Sequence, residues 1–547
     1  MNKPGLNALP LGLALACAGV LGWIWLQRPG PRDKTAARSA GAARGLDSSS
    51  NGAAAGKAAS ASDAEALIAS LTRMLARADV RAREALLSFK DEAAFRRFFE
   101  RAGSSGLTVL GRLDGLRSVR VRYDRLAALQ NELRQNAADY VAVGANPLVN
   151  LPRAPAKEDR AAVDQVPFGN ETLAFLGAAG DRSNWGRGTT IAILDTGLAP
   201  DSTFGPNRIQ YLDVGLGSVP GRGSEDGHGT AVAALAGGAA TDAPGVAPAT
   251  NLLSIRVTDA SGTSDLFTIA QAIVAAVDAG ARIVNISLGG YGTNATLDAA
   301  IAYAGDRGAV IVAAAGNDQA AQLAWPAANL SVISVGAVDR AEQQVAFSNS
   351  GPQLKLSAPG YGVQTAWLDG TRAYVDGTSA SAPLVAGAIA ALISQSPGLS
   401  PQDAAQLLMR SASDAGAPGA DAAFGAGILN LGWAMNSSTP GYIDTAVSSH
   451  YFDAATNQMQ FVVQNRSSQA VAGLNLNVTA GADATDYPIP SLAAGESYVV
   501  KVPVDDATLK AAGTLRFTTQ LANPAGFTDR VPGNNRKASV LTPPGRP

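Results

Sequence analysis

Five short, almost uninterrupted apolar runs between residues 165 and 435 constrain this chain more than any other feature. They are Thr190–Leu194, Leu252–Val257, Ile283–Leu288, Val310–Ala314 and Val332–Val335, with helical stretches such as Phe267–Asp278 and Ala295–Ala304 between them. A strand that is apolar at every position must be covered on both faces, and strands alternating with helices give a parallel sheet flanked by helices. The predicted fold of residues 165–435 is therefore α/β. In such sheets, function gathers at the carboxyl ends of the strands.

The flanks are organised differently. Residues 63–155 carry a helical lead (Ala64–Ala78) and then the order β-α-β-β-α-β, a split βαβ or ferredoxin-like α+β pattern. Its pieces are Ala85–Phe89, Asp91–Ala102 with Phe95, Phe98 and Phe99 on one face, Leu107–Leu110, Val119–Tyr123, Arg125–Gln135 and Tyr140–Val143. Residues 440–547 hold short alternating strands (Met459–Gln464, Leu474–Thr479, Tyr498–Val504, Thr514–Leu521) between Gly, Pro and Asn turns, which predicts an Ig-like β-sandwich. Residues 35–62 are Ala, Gly and Ser with scattered charges, the composition of a flexible tether.

Residues 1–34 contain Leu9–Leu26, eighteen residues without a charge. As a helix they would span about 27 Å, close to a bilayer core. Trp23 and Trp25 sit at one end, as interfacial aromatics do. Three readings stand side by side: an uncleaved membrane anchor through residues 9–26, a signal peptide cut after Ala14-Leu15-Ala16, and a lipoprotein box at Cys17. Arg28, Arg32 and Lys34 outweigh Lys3, an asymmetry that opposes export.

Composition removes whole classes of chemistry. At 547 residues the chain has room for three or four domains. A net charge of −2 gives no footprint for nucleic acid. A single cysteine, Cys17, excludes intrachain disulfides and, lying in the apolar segment, a cysteine nucleophile. The two histidines, His228 and His450, exclude a His-rich metal centre, and His450 is expected at the surface of the sandwich.

Three motifs fall at strand or helix ends of the α/β region. Ile193-Leu194-Asp195-Thr196-Gly197 ends a strand in a carboxylate; alone it reads as a turn or cap. Asp226-Gly227-His228-Gly229-Thr230 puts an imidazole between glycines ahead of an apolar helix. Asp376-Gly377-Thr378-Ser379-Ala380-Ser381-Ala382-Pro383 opens a long apolar helix, where a serine is ordinarily a cap. Taken together they supply what a serine nucleophile requires: an imidazole to take its proton and a carboxylate to orient the imidazole. Ala313-Ala314-Ala315-Gly316-Asn317 ends another strand in an amide, a suitable donor to a tetrahedral oxyanion.

These four motifs, in the order Asp-Thr-Gly, His-Gly-Thr, Ala-Ala-Gly-Asn and Gly-Thr-Ser-x-x-x-Pro, resemble those of the subtilisin-like serine peptidases, the subtilases. Asn285-Ile286-Ser287-Leu288-Gly289-Gly290 and Gly245-Val246-Ala247-Pro248 strengthen the resemblance. It implies that Asp195 orients, His228 is base then acid, Ser379 is nucleophile, and Asn317 with the Ser379 N–H holds the oxyanion. It further implies that a substrate strand lies between Ser287, Leu288, Gly289 and the stretch Gly262–Ser264, with Gly316 beside it. No cofactor is implied for the chemistry. The loop Ala236–Pro244 is shorter and poorer in oxygen ligands than the family's calcium loop, which leaves structural calcium unsupported. Ala231 replaces a second, non-catalytic histidine of the family, and the short stretch Asn317–Pro326 leaves the preference at P1 open.

The resemblance extends to the flanks. Residues 80–150 resemble an inhibitory propeptide, which makes the chain's own prodomain a partner. Leu492-Ala493-Ala494-Gly495-Glu496 and Asn534-Asn535 resemble CARDB-like adhesion modules of bacterial envelope proteins. The expectation is a serine endopeptidase made as a zymogen at the cell envelope, acting on polypeptides and cutting itself between Asn150 and Asp164. It would be anchored facing periplasm or exterior, or secreted after processing. The rival expectation is a catalytically silent envelope-binding protein that works through its sandwich.

Overall fold

The computed structural model describes residues 61–151, 165–205, 208–217 and 227–542, all within one compact unit. The apolar segment Leu9–Leu26, most of the tether, Asp226 and residues 152–164 lie outside the described residues. Helix Ala61–Leu75 starts two residues inside the expected tether and ends three residues earlier than the expected helix.

At the centre is a seven-stranded parallel sheet in the order Leu356–Pro359, Ile333–Val338, Val310–Ala314, Ile283–Ile286, Thr190–Asp195, Asn251–Arg256, Ile209–Leu212. Burial explains the uninterrupted apolar runs. In Thr190–Asp195, Ile191 and Ile193 enter the core beneath helices His228–Gly237 and Thr378–Gln395, and Ala192 and Leu194 enter the opposite core beneath helices Leu266–Asp278 and Ala295–Asp306. Because the first strand is central and its successors lie on both sides, the order reverses there. That reversal places a crevice beyond the carboxyl end of Thr190–Asp195.

The α+β domain forms a four-stranded antiparallel sheet, Leu107–Leu113, Ser118–Tyr123, Glu84–Phe89, Tyr140–Gly144. Helices Glu92–Ala102 and Leu126–Asn136 cover it. Asp91 caps the first of these through Ala94 N–H at 2.7 Å, and Phe95 and Phe98 are buried against Phe89. This domain docks on the start of helix Leu266–Asp278. Asn146 Oδ1 accepts Phe267 N–H at 3.1 Å and the Pro147 carbonyl accepts Leu266 N–H at 3.0 Å. Two first-turn donors are thereby satisfied from outside the helix. Arg81 and Arg120 both bridge to the buried Asp265, at 3.1 and 3.3 Å.

The C-terminal region pairs a three-stranded sheet (Thr445–Asp453, Gln458–Asn465, Ser497–Pro503) with a four-stranded one (Asp483–Pro488, Asn475–Ala480, Leu515–Ala522, Arg536–Leu541), all antiparallel. Phe461 and Phe517 meet in its core at 5.8 Å between ring centres. His450 is not on the surface as expected. It is half-buried, with Nδ1 2.9 Å from Ser539 Oγ, Nε2 2.9 Å from Thr519 Oγ1, and its ring edge-on to Phe461. The sandwich is joined to the α/β region by Gln464 Nε2 donating to the Ala412 carbonyl at 3.3 Å, Ser449 Oγ donating to the Gly416 carbonyl at 2.7 Å, and the buried Arg466 lying over Trp433.

Candidate active site

Asp195 is the last residue of the central strand and is fully buried. Its Oδ1 lies 2.7 Å from His228 Nδ1, at the first turn of helix His228–Gly237, and also accepts Thr196 N–H at 2.8 Å. Thr196 Oγ1 accepts Gly229 N–H at 3.0 Å, which ties the helix start to the strand end. The approach is close enough to require glycine: a Cβ on Gly229 would stand 2.3 Å from the Gly197 carbonyl oxygen. A carboxylate accepts only, so this contact places the imidazole proton on Nδ1 and leaves Nε2 as the basic nitrogen.

Ser379 lies in the first turn of helix Thr378–Gln395 and is 5% exposed. It and Ser287 hold each other twice: Ser379 Oγ donates to the Ser287 carbonyl at 3.2 Å, and Ser287 Oγ donates to the Ser379 carbonyl at 3.1 Å. Ile286 pairs with Leu194 across adjacent strands, so Ser287 and Asp195 are the next residues at neighbouring strand ends. The serine helix and the histidine helix therefore converge on one sheet edge. Asn317, 2% exposed, follows the strand Val310–Ala314; its Oδ1 accepts Thr378 N–H at 3.0 Å and Thr378 Oγ1 at 2.9 Å. With the oxygen committed, the amide nitrogen is the end turned to the serine loop. A Cβ on Gly377, whose φ is +134°, would lie 2.7 Å from that nitrogen and 3.6 Å from Ser379 N. Two N–H donors thus lie near one point at the positive end of a helix, an arrangement suited to an oxyanion.

Strand Ile283–Ile286 ends two residues before the expected Leu288, and the residues beyond it bind a different partner. Leu288 is fully buried and turns its side chain into the core. Gly289 exchanges both backbone hydrogen bonds with Asn150, each at 3.0 Å. On the other side, Leu148–Asn150 pairs antiparallel with Thr263–Asp265, and Leu151 N–H donates to the Gly262 carbonyl at 3.2 Å. The tail of the α+β domain therefore fills the place between Gly289 and Gly262–Ser264 as the middle strand of three. Beside it a cleft of about 580 Å³ runs along Gly289, Gly290, Tyr291, Gly316, Asp318 and Ala324.

Two features escaped sequence reasoning. The hairpin Val363–Ala366/Arg372–Val375 leads into the serine loop and braces the histidine helix: Thr365 Oγ1 donates to the Ala231 carbonyl at 3.0 Å, and Trp367 lies against Gly227. Its Tyr374 is exposed and its runs are too short to stand out by period. The second is a polar cluster in which Tyr291 Oη donates to Asp318 and Asn349 Nδ2 donates to Tyr291 Oη at 2.9 Å. Burial and the Asp318 carboxylate push the Tyr291 phenol up to about 12.

The shortened loop after the histidine helix closes as the small hairpin Ala239–Ala240/Ala243–Pro244. Its carboxylate, Asp242, is paired with Arg372 at 3.0 Å and its other side chains are mainly alanine, so the loop does not fit a hard cation. Among the described residues no group of three or more His, Cys, Asp or Glu side chains could hold a metal ion. Helix Thr378–Gln395 is long and apolar enough to cross a membrane, but 83% of it is buried inside the protein, and it is a core helix.

Comparison with known proteins identifies relatives of the α/β region. The model of the subtilase family matches residues 186–427. Subtilisin Savinase of Lederbergia lenta is 33% identical over 270 residues, covering 48% of this chain and 97% of the relative. The thermostable alkaline protease of Halalkalibacterium halodurans is 32% identical over 271 residues, covering 49% of this chain and 73% of the relative. Among solved structures, fervidolysin from Fervidobacterium pennivorans, a keratinolytic enzyme related to subtilisin, superposes with a TM-score of 0.55 at 19% identity. That match covers 86% of this chain and 77% of the other, a likeness of fold.

Proposed function

Given that this chain belongs to the subtilase family of serine peptidases, we propose that Asp195, His228 and Ser379 are its catalytic triad and that it is a zymogen held inactive by its own N-terminal domain. The observation that carries the reading is the 2.7 Å contact between His228 Nδ1 and Asp195 Oδ1 at the strand end next to the one that holds Ser379.

Each step uses a named group. A substrate strand lying between Gly289 and Gly262–Ser264 presents an N–H to the Ser287 carbonyl and so releases the Ser379 hydroxyl from it. His228 Nε2 takes the hydroxyl proton as Oγ attacks the scissile carbonyl carbon. The oxyanion is held by Asn317 Nδ2 and Ser379 N–H. The imidazolium, stabilised by Asp195, gives its proton to the leaving amine, and water then hydrolyses the acyl-enzyme by the same steps. The chemistry needs no cofactor.

Val149–Leu151 lies in the cleft as a product strand would, which supports inhibition by the prodomain. Cleavage between Asn150 and Asp164 would separate the prodomain from the catalytic region. If Leu9–Leu26 anchors the chain at the cell envelope, the same cut releases the enzyme from the membrane. A fluorophosphonate applied to the processed protein tests the reading: a covalent adduct on the peptide containing Ser379, absent from His228→Ala, is expected. A folded protein that takes no label would favour a silent envelope-binding protein acting through its sandwich.

A further inference from the structure

The cleft's walls and floor can be read for the side chain they accept, an inference that rests on the function proposed above. Asn150 opposes Gly289, so in antiparallel register a substrate residue two positions further along opposes Ser287, whose carbonyl holds Ser379 Oγ. That residue carries the carbonyl to be attacked. Its side chain enters the slot between Gly289–Gly290 on one side and Ala315–Gly316 on the other.

Ala324 closes this slot. Its methyl carbon lies 2.6 Å from where a Cβ on Gly289 would stand and 3.3 Å from where one on Gly316 would stand. One methyl group therefore stands between the two glycines, and Asn349 Nδ2 fills the space beside Gly316, 2.2 Å from where its Cβ would stand. The floor cannot withdraw, because it is bonded to both walls. Ala324 N–H donates to the Ala315 carbonyl at 2.9 Å, Trp325 N–H donates to the Gly290 carbonyl at 2.8 Å, and Gly290 N–H donates to the Trp325 carbonyl at 3.2 Å. Nor can the walls spread freely. Tyr291, on one wall, donates to Asp318, on the other, and Asn349 braces both by accepting Asp318 N–H at 3.0 Å and donating to Tyr291 Oη at 2.9 Å.

We propose that Ala324 makes this a shallow slot and restricts cleavage to peptide bonds that follow small side chains such as alanine or serine. Large apolar and long cationic side chains are excluded by the floor, since packed walls tied by hydrogen bonds do not yield a ring's width without breaking them.

The test uses the processed enzyme from the full chain and peptide anilides that differ only at the residue before the scissile bond. Wild type should cleave after alanine with a kcat/KM at least tenfold above that for phenylalanine or lysine. Ala324→Gly should raise the ratio of phenylalanine to alanine cleavage at least tenfold; Ala324→Val should depress cleavage after alanine. Fluorophosphonate labelling of Ser379 is read on every variant. Labelled wild type that cleaves after phenylalanine or lysine as fast as after alanine overturns the slot alone, as does labelled Ala324→Gly with an unchanged ratio. Wild type that takes no label overturns the proposed function, and the slot with it.

Discussion

Asn150 and Gly289 exchange two backbone hydrogen bonds of 3.0 Å, and this one pair joins the end of the α+β domain to the wall of the cleft. On the function proposed above, the tail that ends at Asn150 occupies the place of a substrate strand and competes with it. Asn150→Pro removes the donor and one of the two bonds, at a cost of about 1–2 kcal/mol. In the full-length chain this should raise the initial rate of peptide anilide hydrolysis about tenfold. An unchanged initial rate would mean that the tail does not limit access.

Asn317 offers a separable contribution. Its side-chain oxygen anchors Thr378 while its nitrogen faces the serine loop. Asn317→Ala should lower kcat by about 10²–10³-fold with KM changed only a few-fold, because the lost donor acts on charge that develops after binding. A purely structural role would instead appear as a loss of thermal stability with kcat preserved in the folded fraction.

Gly229 is held where a Cβ would meet a backbone oxygen at 2.3 Å, and backbone cannot swing aside as a side chain can. Gly229→Ala should push the histidine helix off the strand end that carries Asp195. The expected result is at least a tenfold slower reaction of Ser379 with a fluorophosphonate, read by intact mass against time.

Much of this arrangement was legible in the sequence because burial on both faces leaves few polar positions in a central strand. Ile191 to Leu194 and Val310 to Ala314 show this directly. His228, between Gly227 and Gly229, and Asp195 and Ser379, each two residues from a glycine, stood out because close approach demands glycine. Edge elements were not legible. In Ile209–Leu212, Gln210 and Tyr211 face solvent, and four residues are too few to display a period. Helix Asp506–Ala512, between two strands of the sandwich, is likewise too short to announce itself. His450 looked like a surface residue because its partners, Thr519 and Ser539, are nearly seventy and ninety positions away in sequence. Only the pairing of strands brings them to it.

His450 gives the sandwich a pH dependence of definite sign. Burial, with Lys537 nearby, lowers it to about 3 from an ordinary 6.5. Between those values the unfolded chain binds the proton and the folded chain does not, so stability is lost as pH falls from 6.5 toward 3. The slope from this one group is about 1.4 kcal/mol per pH unit. Between pH 7.5 and 4.5 the urea transition of the sandwich should lose about 2–3 kcal/mol that His450→Gln does not lose. Equal losses in both proteins would place the acid sensitivity elsewhere.

Intact mass and N-terminal sequencing of the wild-type protein beside Ser379→Ala test the central claim most directly. The wild type should appear as a shortened chain whose new N-terminus falls between Asn150 and Asp164, and Ser379→Ala should remain full length. Two full-length chains, or two chains cut at the same bond, would contradict it.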